Sequence, residues 1–133
     1  MVELALLLPF LVFGLIGAAD LARAFAFQLA IQNGARAGAE AYAIAFAPTP
    51  ALAAQVASAE MSRTPGIDVL GANIITPVRP VHTDGSQCVT TPTVADPCFY
   101  TVEIQYTFHT IVAWPFIPNT ANFDRSTTVR TFY

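Results

Sequence analysis

The residues best suited to acid–base or nucleophilic chemistry are few and scattered along this sequence. Its two histidines, His82 and His109, stand in no metal-binding or catalytic motif. His109 falls on the polar side of a predicted strand, where a surface role is the simpler interpretation. The Asp-Gly-Ser run at 84–86 is typical of a turn, because a nucleophile elbow requires glycine on both sides of the serine. With no nucleophile–base pair, metal set or cofactor loop, the sequence predicts a protein that is not an enzyme and has no cofactor.

The two cysteines, Cys88 and Cys98, flank a segment rich in Thr, Pro and Asp. Cysteine-based metal sites usually need four ligands at close spacing, and this pair is too widely spaced for one of their units. We therefore predict a disulfide that closes the loop, worth on the order of 2–3 kcal/mol in the chain-entropy model. Such a bond indicates an oxidising compartment outside the cytoplasm.

Composition excludes some classes of protein. The chain is 54% hydrophobic and 11% charged, whereas average soluble domains are about 25% charged. It has a net charge of -3 and six Lys and Arg residues together, all of them arginine. Without a basic cluster to neutralise a phosphate backbone, we expect no nucleic-acid partner.

The apolar residues concentrate near the N-terminus, where no charge occurs from Leu4 to Ala19. As a helix this run is about 24 Å long, slightly short of a comfortable bilayer span. A signal peptide would carry a basic segment before the run and a cleavage site after it. Here Glu3 precedes the run, and an alanine-rich helix is predicted to continue to about Ala47.

The second half of this helix is predicted to be amphipathic. Leu21, Phe25, Leu29 and Ile31 fall largely away from the polar side. Gly34 and Gly38, four residues apart among alanines, favour a close helix crossing, with biased composition as the alternative. The predicted polar stripe consists of Asp20, Arg23, Gln28, Gln32, Arg36 and Glu40.

The remaining sequence predicts a short helix and a small antiparallel sheet, giving an α+β fold. Thr49 can cap and Pro50 can begin a helix ending near Arg63. Residues 67–82 predict a broken or edge strand, 99–112 the clearest strand and 125–133 a third. The sheet should pack on the second helix or on the outer half of the first. We divide the chain into an N-terminal membrane and assembly helix, 1–47, and a small extracytoplasmic domain, 48–133. The apolar side of the clearest strand comprises Tyr100, Val102, Ile104, Tyr106 and Phe108.

An apolar loop at 113–118 carries the single tryptophan, Trp114, beside Phe116. Its two prolines lack amide donors, so the loop cannot join a sheet ladder. It either folds back over its own domain or packs against an adjacent subunit. We prefer the second interpretation, because a small sheet with one helix leaves little core for these aromatic side chains.

Two residues of the apolar segment need an explanation. The carboxylate of Glu3 is costly in hydrocarbon, so it either lies in water at headgroup level or pairs with a positive group on a neighbour. Pro9 removes one helical hydrogen bond, which either kinks the helix or is tolerated as it often is in membrane helices.

Residues 2–9 (VELALLLP), 20–23 (DLAR) and 33–39 (NGARAGA) together resemble the TadE/TadG-like pseudopilins of the tight-adherence branch of type IV pilus-like machinery. The resemblance implies cleavage after a glycine by a prepilin peptidase, extraction from the inner membrane and packing of helices into a bundle. Counted from Met1, Glu3 lies two positions earlier than the family's acidic residue does when counted from the cut. The simplest expectation is that a short leader and two mature residues precede the sequence given. The alternative is that this chain departs from the family's processing rule.

The sequence thus predicts a structural subunit of a Tad-type filament or pseudopilus that assembles through bundled N-terminal helices. Expected partners are copies of itself in a helical homopolymer, the inner membrane before assembly, the peptidase and the pilus assembly machinery. The chain would move from the inner membrane to a cell-surface filament. The alternatives are a solitary membrane-anchored binding module and a minor or priming pseudopilin. Candidate assembly residues are Glu3, Pro9, Gly34, Gly38, Trp114 and Phe116.

Overall fold

One helix, α1, spans Val2–Ile44 and dominates the molecule. The computed structural model describes residues 2–45, 48–89, 91–114 and 117–131. The helix runs without interruption through Pro9, whose side chain is exposed. Its observed end precedes the predicted one at Ala47, which lies outside the described residues.

A second helix, α2, spans Pro50–Met61. It begins as the sequence predicts, because the Thr49 side chain accepts a hydrogen bond from the Leu52 amide at 3.1 Å and Pro50 occupies the first turn. It ends slightly before the predicted Arg63.

The sheet has three antiparallel strands in the order β1-β2-β3: Ala72–Ile75, Cys98–His109 and Thr120–Thr131. The β2–β3 pair runs in continuous register from Cys98 opposite Thr131 to His109 opposite Thr120. The small antiparallel sheet that the sequence predicts is therefore confirmed.

The strand bounds differ from the prediction at three places. The broken strand predicted at 67–82 is a 3₁₀ turn, Val69–Gly71, followed by the short β1 and an isolated bridge at Val81. The clearest strand was predicted to reach residue 112, but β2 stops at His109. The third strand begins at Thr120, five residues earlier than predicted, because pairing with β2 extends through a segment with little apolar alternation.

The core lies between the sheet and the outer half of α1. The predicted apolar face of β2 is buried at every position, as Tyr100, Val102, Ile104, Tyr106 and Phe108. Phe27 of α1 packs edge-on against two of these rings, with centroid distances of 5.8 Å to Tyr106 and 5.7 Å to Phe108.

The opposite end of the core is formed by two stacked tyrosines. The rings of Tyr42 and Tyr100 lie parallel with centroids 3.5 Å apart, and the Tyr100 hydroxyl donates to the Pro77 carbonyl at 3.0 Å. Burial raises the pKa of Tyr100 to about 12, and the neighbouring Tyr42 adds to the shift. The core therefore draws residues from both sides of the division proposed at residue 47.

Candidate assembly and anchoring surface

The inner half of α1 is largely uncovered by the rest of the described chain. Its large apolar side chains between Leu4 and Leu15 are from 45% to 72% exposed. This is the one described helix that is long and apolar enough to cross a membrane, within Leu6–Ile44. Glu3 is exposed in the first turn, where a carboxylate is favoured by the helix dipole.

The exposed apolar surface continues on the outer half of α1. Leu21, Phe25 and Leu29, spaced four residues apart, are each about three-fifths exposed. Ile31 is instead fully buried against the sheet. The predicted polar stripe is therefore only partly a solvent face: Arg36 and Glu40 form an exposed ion pair at 2.6 Å, but Asp20 is only 5% exposed.

Asp20 joins α1 to the connection between β2 and β3. Its Oδ1 accepts from the Ile111 amide at 2.9 Å and from Arg23 at 3.2 Å, and its Oδ2 accepts from the Trp114 indole at 3.2 Å. A buried carboxylate with three donors is well satisfied. Helical periodicity places Asp20 on the predicted polar stripe and does not reveal this role. The available signal was an isolated acid at the end of an uncharged run.

Trp114 lies against α1 of its own chain. Its ring meets Phe13 edge-on at a centroid distance of 6.5 Å and passes beside Gly17, where an added Cβ would lie 3.5 Å from the indole. The contacts favour the folding-back interpretation over the preferred one, in which the loop packs on an adjacent subunit. Phe116 lies outside the described residues.

The uncovered side of Trp114 borders an apolar groove of about 360 Å³ between α1 and the β2–β3 connection. Leu21 and Phe25 form the helix side of the groove, and Ile117 forms part of the other side. The groove thus joins the exposed face of α1 to the loop.

Gly34 and Gly38 permit the close helix crossing that their spacing predicts, but the crossing lies within the chain. A Cβ added at Gly38 would lie 2.7 Å from the Ala53 carbonyl oxygen, and one at Gly34 would lie 2.7 Å from Met61 Cγ. Both glycines therefore face α2, and this placement gives no support to their predicted role between copies.

The predicted disulfide between Cys88 and Cys98 is present, and it includes both cysteines of the sequence. His82 lies close to the two sulfurs. This cluster does not form a three-ligand metal site, because sulfurs bonded to each other are not thiolates. His82 Nδ1 instead lies 2.9 Å from Asp96 Oδ1.

These features define a small disulfide-closed α+β protein whose N-terminal helix is long and apolar enough to span a membrane. The family model described as TadE-like protein matches residues 1–40, which is most of α1. The match confirms the resemblance for this part of the chain. No curated protein and no solved structure matches the chain.

Proposed function

We propose that this protein is a structural, non-catalytic subunit of a Tad-type filament or pseudopilus and assembles through α1. The observation that carries the proposal is the uncovered apolar surface between Leu4 and Leu15. A family match over the same helix supports it. Before assembly this surface is covered by lipid, and afterwards by the helices of neighbouring copies.

The free energy of exchanging lipid for neighbouring helices determines which contacts must set the packing of the copies. Burying roughly 1,000 Å² of apolar surface at about 25 cal/mol/Å² contributes on the order of 25 kcal/mol against water. Against lipid the contribution is near zero, because acyl chains are as apolar as leucine. Polar contacts and shape must therefore select the register. Glu3, at the head of the run, is the polar group we assign to a contact between copies, and Pro9 gives the run a fixed local shape.

A photo-reactive cross-linker placed within the apolar run of α1 tests the proposal directly. A photo-reactive amino acid replaces Leu11, which is 62% exposed, in cells that carry the export machinery. We expect covalent dimers and higher multimers of the chain in sheared cell-surface filaments. The matched control replaces Val94, an 89% exposed residue of the disulfide loop, and should give far fewer multimers.

The same experiment separates the alternatives. A solitary anchored binding module would give no multimers from Leu11, and a priming subunit would cross-link without appearing along the filament length. Repeating the experiment with Glu3→Gln should leave the chain in the membrane and reduce multimers, with Glu60→Gln as the control. Multimers unchanged by Glu3→Gln would show that this carboxylate lies in water.

A further inference from the structure

The apolar run by itself is slightly short of a bilayer span, so residues beyond it must complete the crossing. At 1.5 Å per residue, α1 rises about 26 Å from Glu3 to Asp20, whereas the hydrocarbon layer is about 30 Å thick. When Glu3 lies at one boundary, the other boundary falls near Arg23. Asp20 then lies at the edge of the hydrocarbon.

The carboxylate of Asp20 is suited to that depth. It is almost fully buried and receives hydrogen bonds from Ile111, Trp114 and Arg23. These donors replace water, so the carboxylate can lie beside acyl chains without the cost of an unpaired charge. The same bonds fix the β2–β3 connection to α1 at this level.

Insertion of the run therefore carries part of the domain to the membrane. Trp114 lies beside Phe13 and Gly17, which are on the membrane side of Asp20. In the same β2–β3 connection, the side chains of Ile111 and Ile117 are 62% and 63% exposed. Tryptophan is enriched at the boundary between lipid and water, where its apolar ring and its polar N–H are both accommodated.

Two residues of α1 and two of the connection line the groove, and Ile111 is exposed in the same connection, where its amide is bound by Asp20. We call these five residues the junction surface: Leu21, Phe25, Ile111, Trp114 and Ile117. It borders the groove and continues directly from the apolar run. We propose that the junction surface lies in the interfacial layer of the lipid bilayer and completes the span. The occupant is lipid, because a loop fixed at the depth of residues 13–20 cannot leave the membrane while α1 is inserted.

The inference rests on the membrane-resident stage of the proposed function and not on filament formation. Trp114 is the single tryptophan of the sequence, so its fluorescence reports on this surface alone. The full chain is reconstituted into phosphatidylcholine vesicles whose acyl chains are brominated either near the carbonyl end or near the terminal methyl. We expect strong quenching by the first lipid and weak quenching by the second.

A pair of variants tests the neighbouring side chains. Ile111→Asp/Ile117→Asp should lower quenching by the carbonyl-end lipid and raise quenching by aqueous acrylamide. The matched control, Val94→Asp, changes an 89% exposed residue of the disulfide loop, which closes at Cys98 at the other end of β2, and should leave both values unchanged. Near-ultraviolet circular dichroism of each variant in detergent checks that the domain is folded.

Several outcomes would overturn the proposal. One is Trp114 emission that neither brominated lipid quenches, with free access for acrylamide. Another is protection from both quenchers that disappears as the protein is diluted into excess lipid, which would mean that a second copy covers the surface. Failure of the chain to float with vesicles would reject membrane residence itself. Absence of filaments, with quenching intact, would reject the proposed function and leave this inference standing.

Discussion

At the scale of single residues, the structure turns several ambiguous side chains into specific contacts. Asp20 is the clearest case, since its role depends on donors 91 and 94 positions away in the sequence. Periodicity alone put Asp20 on a polar stripe, and no local pattern could reveal those partners. The disulfide, by contrast, was predictable because Cys88 and Cys98 are the only cysteines in the chain.

Tyr100 makes the stability of the domain sensitive to alkaline pH. Its pKa is raised to about 12 in the folded chain, whereas the pKa of an unfolded tyrosine is about 10. The unfolded state therefore loses this proton first. The stabilisation is complete below the unfolded pKa and is lost as the pH rises toward the folded one.

We expect the melting temperature in detergent to fall between about pH 10 and pH 12, and to fall less in Tyr100→Phe. At neutral pH the variant should be slightly less stable, because it lacks the hydrogen bond to Pro77, a contribution of about 1 kcal/mol. An identical alkaline decline in both proteins would assign the effect to other groups.

At the scale of helices and strands, elements with regular patterns could be predicted and irregular ones could not. β2 alternates apolar and polar residues, and its buried face was predicted correctly. β3 was placed too late because Thr120–Asp124 contains a single buried apolar side chain, Phe123, and owes its strand structure to pairing with β2. The helix that packs against Gly34 and Gly38 could not be predicted either, since their spacing indicates a close helix crossing but does not identify the second helix.

The α1–α2 crossing gives a graded prediction. Gly38→Ala should cost about 1–3 kcal/mol, because its Cβ would meet a backbone oxygen that cannot move aside. Gly34→Ala should cost less, since the nearest atom there belongs to the Met61 side chain and the nearest backbone oxygen, that of Ala57, is 3.0 Å away. Melting temperatures in detergent measure both.

Gly14→Ala is the matched control, because nothing lies within 4 Å of its added Cβ. It should be neutral or slightly stabilising, as alanine favours helix by about 1 kcal/mol. Equal effects at Gly14 and Gly38 would mean that the crossing is not tightly packed.

At the scale of the whole molecule, α1 serves two environments at once. Its inner half is uncovered, while Phe27, Ile31 and Tyr42 of its outer half supply the core under the sheet. The change in composition at residue 47 suggested two units. The core under the sheet includes residues before that point, so we expect the sheet to depend on them.

Two fragments test this dependence. Residues 48–133 alone should remain unfolded or aggregate, because the buried face of β2 would lose its helix. Residues 17–133 keep Asp20 and the core half of α1 and should show a cooperative thermal transition. A cooperative transition in the 48–133 fragment would instead support an independent domain at the predicted division.

The unbroken course of α1 also has a mechanical consequence. In a filament held together by such helices, tension along the axis passes through the backbone hydrogen bonds of α1, and the laterally attached sheet carries little of it. Pro9 has no amide hydrogen, so the turn before it has one bond fewer than the rest of the rod. Under load, that turn should be the first part of the subunit to lengthen.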